Sequence, residues 1–256
     1  TVIGQATSFL FAVRYLYRRR EAFGFDFRPA SFQIAPVILK KLSCLGVPFA
    51  IQSCAINLSM IFVNSLVSGV GVYASAAFGV GVKLDDIVTK LTQGIMYAVS
   101  PMVGQNIAAG QVKRTKKIVY WALGITSILY FAFTLVYIPC CKQMFGLFTD
   151  DLQVVTLAPT FVSAILWCFP ALAVMRSMGG FVQGMGNASL MLVLGLLDGL
   201  VCRVVLSYMF GILMGMGLYG FILGYGLASY AFAIPASVYF FSGIWERRKA
   251  LIEATA

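Results

Sequence analysis

The chain has 256 residues, of which 60% are hydrophobic and only 11% are charged. Because about a quarter of the residues in ordinary soluble proteins are charged, this composition excludes a soluble domain and indicates an all-α, polytopic membrane protein. The net charge of +10 does not indicate nucleic-acid binding, since the cations cluster at the ends of apolar segments, where membrane topology explains them. The chain has no histidine and no paired cysteine spacing, so no metal site is predicted.

The chain opens in the middle of an apolar helix, about residues 1–17, that ends in basic residues. It does not look like a signal peptide, because the charge follows the apolar run instead of preceding it. We therefore expect the chain to be the C-terminal part of a longer protein. Residues 18–41 are predicted to form a polar connection on the cytoplasmic side. The predicted domains are residues 1–35, the end of a preceding helix with its loop, and residues 36–256, a six-helix lobe.

Six full transmembrane helices are predicted in that lobe, because a spanning helix needs about 20 mostly apolar residues. The uncharged run 42–82 is too long for one span, and the turn signal at residues 68–71 divides it. Thr149 or Asp150 is expected to cap the helix that follows the third span. The predicted spans cover about residues 42–67, 73–107, 118–139, 152–177, 188–212 and 219–244.

The distribution of cations predicts the orientation of these helices. Four cations crowd into residues 113–117 between two charge-free runs, as expected for a tight turn on the cytoplasmic face. Fourteen of the nineteen cations fall in residues 14–41, 113–117 and 247–249, which share that face, whereas the opposite loops hold one, Lys142. We therefore predict a multi-pass protein of the plasma or inner membrane with a cytoplasmic C-terminus. An even number of helices would give a preceding copy of the lobe the same orientation.

Charged residues within the predicted spans are costly and mark candidate functional positions. Lys83, Asp85, Asp86 and Lys90 lie on the second span. Asp86 and Lys90 are four residues apart, and Lys83 and Asp86 are three apart, so both pairs can meet on one helix face. These charges either neutralise one another and stabilise the helix, or they serve a polar cavity.

Three further charges lie on later spans. Asp198 and Arg203 are five residues apart on the fifth span, a spacing that does not bring two side chains face to face in an α-helix. Each is therefore expected to pair across helices, and the two extend the candidate polar network of the second span. Arg176, on the fourth span, is predicted to snorkel to the inner interface.

Polar amides on the first full span are candidates for a substrate-binding wall. Gln52, Asn57 and Asn64 occupy a broad common sector of this helix, and amides in hydrocarbon must face protein or water. They either join helices through hydrogen bonds or face a substrate. Met60 lies on the same helix, and its flexible thioether suits varied ligands. Three further methionines are candidates for the same use, with plain packing as the alternative: Met96, Met175 and Met178.

Several motifs, taken in order, resemble the multidrug and toxic compound extrusion (MATE) family. The run Val103-Gly104-Gln105-Asn106, which leads into the basic segment, is similar to the cytoplasmic end of that family's eighth helix. Residues 179–187 resemble the cytoplasmic end of its tenth helix, although Gln183 replaces the usual Arg and Asn187 the usual Asp. Other similar stretches are residues 45–53, 74–81, 145–151 and 217–220. Their order and spacing resemble the second lobe of such a transporter.

The resemblance implies a secondary-active exporter built from two six-helix lobes. Import of Na⁺ or H⁺ would drive the efflux of small organic, often cationic compounds that bind between the lobes. The expected partners are the lipid bilayer, the small organic substrate and an N-terminal lobe of the same protein. No enzymatic activity and no cofactor are expected.

The resemblance also bears on the coupling ion. One branch of the family has acids in its seventh and tenth helices, at positions that are here Ile56 and close to Leu172. Their absence makes the chain resemble the DinF-like branch, whose coupling acid lies on the first helix. The site for Na⁺ or H⁺ is therefore expected in the N-terminal lobe.

A lipid-linked precursor or polysaccharide flippase of the same superfamily is the alternative. Such flippases tend to carry several cations in the central cavity, and Lys83, Lys90, Arg176 and Arg203 keep this alternative open. A non-transporting scaffold is disfavoured, because it needs none of the polar residues within the spans. The first lobe would discriminate, since a lone acid on its first helix favours the exporter and an arginine-rich cavity favours the flippase.

Overall fold

The structure is a computed structural model that describes residues 2–24 and 35–247, and every regular element in these ranges is helical, as predicted. The helices are α1 (Val2–Arg18), α2 (Arg20–Phe23), α3 (Pro36–Ser68), α4 (Val72–Ala108), α5 (Val112–Gly146), α6 (Leu152–Gly184), α7 (Ala188–Leu213) and α8 (Gly217–Phe241), followed by a 3₁₀ turn, Ile244–Arg247. A 3₁₀ turn, Leu166–Cys168, interrupts α6, and two π-helical segments, Leu197–Cys202 and Met209–Leu213, lie within α7.

The chain divides into two compact units, residues 1–44 and 45–256. The first unit contains α1, which has no buried residue, and α2. The division falls within α3, whereas the predicted domain boundary lies between residues 35 and 36. Residues 25–34 of the predicted connection, and residues 248–249 of the last basic segment, lie outside the described residues. All further features belong to the second unit.

The six predicted spans correspond to α3 through α8, and several of these helices run past their predicted ends. α5 shows why. Lys and Arg are good helix formers, so residues 113–117 join the first turns of α5 instead of forming the predicted basic turn. The turn is made by residues 109–111, where Gly110 has a φ of 67°. At 1.5 Å per residue, the 35 residues of α5 exceed a hydrocarbon core of about 30 Å, so the helix must tilt or project beyond it.

Five helices of the described part are long and apolar enough to cross a membrane, namely α3 and α5 through α8. α4 is the longest helix, with 37 residues, but its four charged residues lower its hydropathy. It packs along α5 and α6. One face of α4 is thus buried against α5 and α6. A helix of mixed polarity can pack in the bundle in this way, with Lys83, Asp86 and Lys90 on the remaining surface.

The start of α6 corrects the predicted cap by one residue. Asp151 is the N-cap, and its carboxylate accepts a hydrogen bond from the backbone N–H of Gln153 at 2.9 Å. Thr149 lies two residues before this N-cap, and its hydroxyl accepts a hydrogen bond from the N–H of Asp151 at 3.2 Å. The helix begins at Leu152, so the residue directly before it accepts a hydrogen bond from a first-turn amide that has no partner within the helix.

Aromatic residues organise two apolar clusters, one toward each end of the bundle. In the first, Phe78 and Phe161 meet edge to face with ring centroids 6.2 Å apart. In the second, the ring centroid of Phe181 lies 5.0 Å from those of Phe240 and of Trp245. Aromatic pairs of this kind each stabilise a fold by about 0.5–1.5 kcal/mol beyond the burial of their area.

The 3₁₀ turn after α8 is fastened to the second cluster. Trp245 is fully buried and donates from its indole nitrogen to the carbonyl oxygen of Phe240 at 2.8 Å. Its neighbour Glu246 forms an ion pair with Lys116, at the start of α5, with 2.6 Å between the charged atoms. The end of α8 and the start of α5 are therefore held together at this end of the bundle.

Close helix contacts run through small residues. A Cβ atom on Gly195 or Gly199 would overlap side chains of α3, and one on Gly224 would lie 2.4 Å from the backbone of α7. Ala228 is fully buried. Small residues let helix backbones approach closely in membrane proteins, and here they bring α3, α7 and α8 together around one cavity.

Candidate functional site

A cavity of about 380 Å³ opens between α3, α4 and α6, with one residue each from α7 and α8 completing its wall. It lies beside the second aromatic cluster. Its wall combines three glutamines, one arginine and one tyrosine with apolar and sulfur-bearing side chains. The lining residues are Phe49, Gln52, Ser53, Ile56, Gln93, Met96, Tyr97, Met175, Arg176, Gly179, Gln183, Met191 and Phe232.

Gln52 is the one member of the predicted amide wall that the structure places in this cavity. Its side chain is 7% exposed and lies against Gly195, whose missing Cβ leaves the space that the amide fills. Within the described part of the chain, the Gln52 amide forms no hydrogen bond with protein. Its donors and its acceptor are therefore free for a ligand or water.

Two other glutamines, which sequence reasoning missed, join Gln52. Gln93 donates from its amide nitrogen to the Tyr97 hydroxyl at 2.9 Å. Gln183 has a buried side-chain oxygen without a hydrogen-bond partner. The signal that could have found Gln93 is its polarity on an otherwise apolar stretch of α4, and Gln183 was noticed only as a departure from the family motif.

Arg176 also lines the cavity, and its predicted snorkelling to the inner interface stays a prediction. Its Nε atom is buried and has no hydrogen-bond partner. Among the described residues, Arg176 makes no ion pair and no hydrogen bond. Arg176 is half-buried, and a cation partly withdrawn from water without a counter-charge is costly, so this residue stands out within the wall.

Two of the candidate methionines lie where an adaptable pocket needs them. Met96 and Met175 both line the cavity. Met178 is fully buried in the second cluster, and Met60 is half-buried against the first. Met96 and Met175 therefore line a cavity, and Met178 and Met60 lie in the packed clusters; that any of them contacts a substrate stays a prediction.

Asn57 and Asn64 lie outside this cavity, on the exposed surface of α3. Asn57 donates from its amide to the backbone oxygen of Ser53 at 2.8 Å, within its own helix. The backbone oxygen of Asn64 accepts from the Ser68 hydroxyl at 2.8 Å. That either amide faces a substrate between two lobes stays a prediction.

The charges of α4 do not pair as predicted. Lys83, Asp86 and Lys90 are exposed on the surface of the lobe, and none of the three forms an ion pair within the described part of the chain. Exposed pairs gain little from contact, because the Coulomb attraction barely exceeds the cost of ordering two long side chains. Asp85 is buried beside Tyr137, and neither of its carboxylate oxygens has a hydrogen-bond partner.

Asp198 and Arg203 do face each other, contrary to prediction, and the helix geometry explains it. The π-helical segment Leu197–Cys202 has i→i+5 hydrogen bonds, so residues five apart come onto one face. The Arg203 guanidinium lies 3.4 Å from the Asp198 carboxylate and 4.8 Å from the centre of the Tyr225 ring. Both charged residues are buried, and the pair with its aromatic cover is an internal structural unit.

Comparisons with known proteins agree with this architecture. A family model described as MatE matches residues 48–209, and the chain belongs to this family. A relative named as the probable multidrug resistance protein YpnP of Bacillus subtilis is 26% identical over 253 residues, covering 99% of this chain and 56% of the relative. The multidrug and toxin extrusion protein 1 of Oryctolagus cuniculus is 29% identical over 128 residues, covering 49% of this chain and 22% of that protein.

The fold is shared with solved transporters of the family. A structure described as the outward-facing conformation of a multidrug resistance MATE family transporter superposes with a TM-score of 0.84 at 19% identity. The superposition covers 94% of this chain and 54% of that protein. The chain thus spans about half the length of the relatives that it matches most fully.

Proposed function

We propose that this chain is the second lobe of a secondary-active exporter, which moves small organic compounds out of the cell in exchange for Na⁺ or H⁺. The observation that carries the proposal is the mixed cavity between α3, α4 and α6. A family likeness alone would support the fold, whereas a cavity with free hydrogen-bonding groups supports a ligand.

The composition of the cavity wall suits a transporter that accepts varied compounds. Met96 and Met175 supply flexible, polarisable surface that can adapt to different shapes. Gln52 and Gln93 supply neutral donors and acceptors that orient a ligand. Pockets for small molecules usually combine a mostly apolar wall with a few placed polar groups.

Coupling to an ion gradient is the second part of the proposal. The positions of this lobe that would carry acids in one branch are Ile56 and a position close to Leu172, and the cavity has no acidic lining residue in the described part of the chain. We therefore place the coupling site in an N-terminal lobe of the same protein. The surrounding membrane is the plasma or inner membrane, with the C-terminus in the cytoplasm.

Transport by the complete protein in proteoliposomes tests this function. We expect ethidium and related dyes to move only when a H⁺ or Na⁺ gradient is imposed, and to stop when the matching ionophore collapses it. Replacing Gln52 by Ala should change the ranking of transported compounds without lowering expression, whereas Gln143→Ala, at an exposed position outside the cavity, should leave the ranking unchanged. Gradient-independent behaviour of all compounds would contradict the proposal.

A flippase for lipid-linked precursors is a second candidate, and the unpaired Arg176 is the observation that favours it. A phosphate-bearing headgroup would supply the counter-charge that Arg176 lacks. The same proteoliposomes can test it with a short-chain polyprenyl pyrophosphate sugar. Translocation of that lipid without dye transport would favour the flippase.

A further inference from the structure

Arg176 is a cation without a counter-charge in the wall of the cavity. The acidic side chains of the lobe in the described ranges are Asp85, Asp86, Asp150, Asp151, Asp198 and Glu246, and none of them lines this cavity. Arg176 is half-buried, and a cation partly withdrawn from water is disfavoured when no counter-charge compensates the lost hydration. The cavity therefore carries positive charge that a ligand can neutralise.

We propose that the cavity binds the oxyanion, a carboxylate or a phosphate, of a small aromatic compound, and that Arg176 is the residue that contacts this group. The proposal rests on the proposed function, in that the cavity is taken as the site for the transported compound. It assigns a substrate class, aromatic acids, that differs from the organic cations expected from the family resemblance.

The donors around the site match an oxyanion. A guanidinium presents its N–H groups as a planar fork that fits the two oxygens of a carboxylate or phosphate. Arg176 makes no hydrogen bond with protein among the described residues, and its terminal nitrogens, unlike its Nε atom, are not fully buried, so the terminal N–H groups are available to a ligand. The amide of Gln52 is also free of protein hydrogen bonds and can donate to the same group.

The remaining wall matches a flat apolar body. Phe49 and Phe232 provide aromatic faces, and Met96 and Met175 provide sulfur atoms that favour contact with aromatic rings. A cavity of about 380 Å³ lies within the range that holds small molecules.

Equilibrium dialysis of the complete protein in micelles, against protein-free micelles, tests the proposal with two matched probe pairs. At mildly acidic pH, where the phenol groups of these dyes are protonated, fluorescein is compared with its methyl ester, and 4-methylumbelliferyl phosphate with 4-methylumbelliferone. Because hydrogen bonds to a charged group contribute about 1.5–3 kcal/mol, we expect the anionic member of each pair to bind at least about tenfold more tightly.

Variants then assign the effect to Arg176. Arg176→Gln should abolish the preference for the anion while retaining the binding of the neutral probes, and Arg176→Lys should restore only part of it, because an ammonium lacks the planar fork. Lys142→Gln is the matched control, since it removes an exposed cation outside the cavity and should leave the preference intact. The comparison of anionic and neutral probes on the unmodified protein stands even if an Arg176 variant fails to fold.

Three results would overturn the proposal. The first is equal binding of the anionic and neutral probes. The second is a preference for the anion that survives in Arg176→Gln. The third is displacement of fluorescein by dioctanoyl phosphatidate at concentrations where inorganic phosphate and benzoate have no effect. The third result would assign the oxyanion to a lipid headgroup. The binding assay uses no ion gradient. If it shows no preference for anions while dyes are transported under a gradient, this inference is contradicted and the proposed function still stands.

Discussion

At the scale of single residues, the lobe separates buried charges that have partners from buried polar groups that have none. Asp198 and Arg203 form an ion pair inside the bundle, although the Nε atom of Arg203 has no hydrogen-bond partner. Arg176 and Gln183 retain unpartnered atoms at the cavity, and Asp85 and Tyr137 retain them elsewhere in the bundle. Because buried polar groups are nearly always hydrogen-bonded in folded proteins, these atoms mark costly positions, of which two lie at the proposed substrate cavity.

The Asp198–Arg203 pair should behave as a coupled unit in mutagenesis. Asp198→Ala strands a buried guanidinium, which should destabilise the protein by about 3–5 kcal/mol and lower the yield of monodisperse protein. Asp198→Leu combined with Arg203→Met removes both charges and should recover much of the loss. The measurement is thermal stability followed by size-exclusion chromatography.

The same experiment on Asp86 and Lys90 provides the matched control, because these exposed residues form no ion pair. Their single variants should have small effects that simply add. If the double variant at 198 and 203 is as poor as its two single losses added together, the buried pair is not coupled and our reading of it is wrong.

At the scale of elements, the apolar runs predicted the helices well, and local geometry within them could not be predicted. Run length and turn signals gave α3 through α8 because hydrocarbon thickness fixes the length of a span. The π-helical segment of α7 changes which residues share a face, yet no composition signal marks it, because it depends on packing against neighbouring helices. The prediction assumed a regular α-helix, in which Asp198 and Arg203 would point apart, whereas the π-helical segment brings them onto one face.

The glycines of the close contacts offer a test of helix packing. Gly224→Ala should destabilise the lobe by about 1–3 kcal/mol, because the added Cβ would lie 2.4 Å from the backbone nitrogen of Ser207, and backbone atoms cannot rotate away. Gly124→Ala is the control. No atom lies within 4 Å of the added Cβ there, and replacing a helical glycine by alanine should stabilise by about 0.5–1 kcal/mol.

Melting temperatures of the Gly224→Ala and Gly124→Ala variants, measured side by side in the same detergent, test this prediction. The packing described for α7 and α8 requires the two shifts to have opposite signs. Equal shifts, or a stabilised Gly224→Ala, would show that these helices do not approach as closely as the structure has them.

At the scale of the whole molecule, fold class and family follow from the sequence, whereas the cavity does so only in part. Gln52, Met96 and Met175 could be named in advance because polar amides and thioethers are conspicuous in apolar helices. Arg176 was expected to reach the inner interface, and its place in the cavity wall could not be predicted, because a single helix gives no information about which neighbours surround a side chain. The meeting of α3, α4 and α6 is a tertiary fact that sequence periodicity does not contain.

The orientation of the lobe should show in cysteine labelling of a cysteine-free background. Gln111→Cys, at the turn before the basic segment, is expected to react with an impermeant maleimide only from the cytoplasm. Gln143→Cys is expected to react only from outside. Both positions are exposed, whereas Thr115, at the centre of the basic segment, is fully buried and unsuitable for labelling. The reverse pattern would invert the topology predicted from the cations.

Protection of a cysteine in the cavity by a transported compound tests most directly whether this lobe holds the substrate site. Met96→Cys and Gln143→Cys, each in the complete protein without its native cysteines, are modified by a maleimide with and without a saturating transported compound. We expect modification of Met96→Cys to slow severalfold when the compound is present, because Met96 lines the cavity, and modification of Gln143→Cys to be unchanged. An unchanged rate at Met96→Cys, or equal slowing at both positions, would contradict the assignment of the cavity as the substrate site.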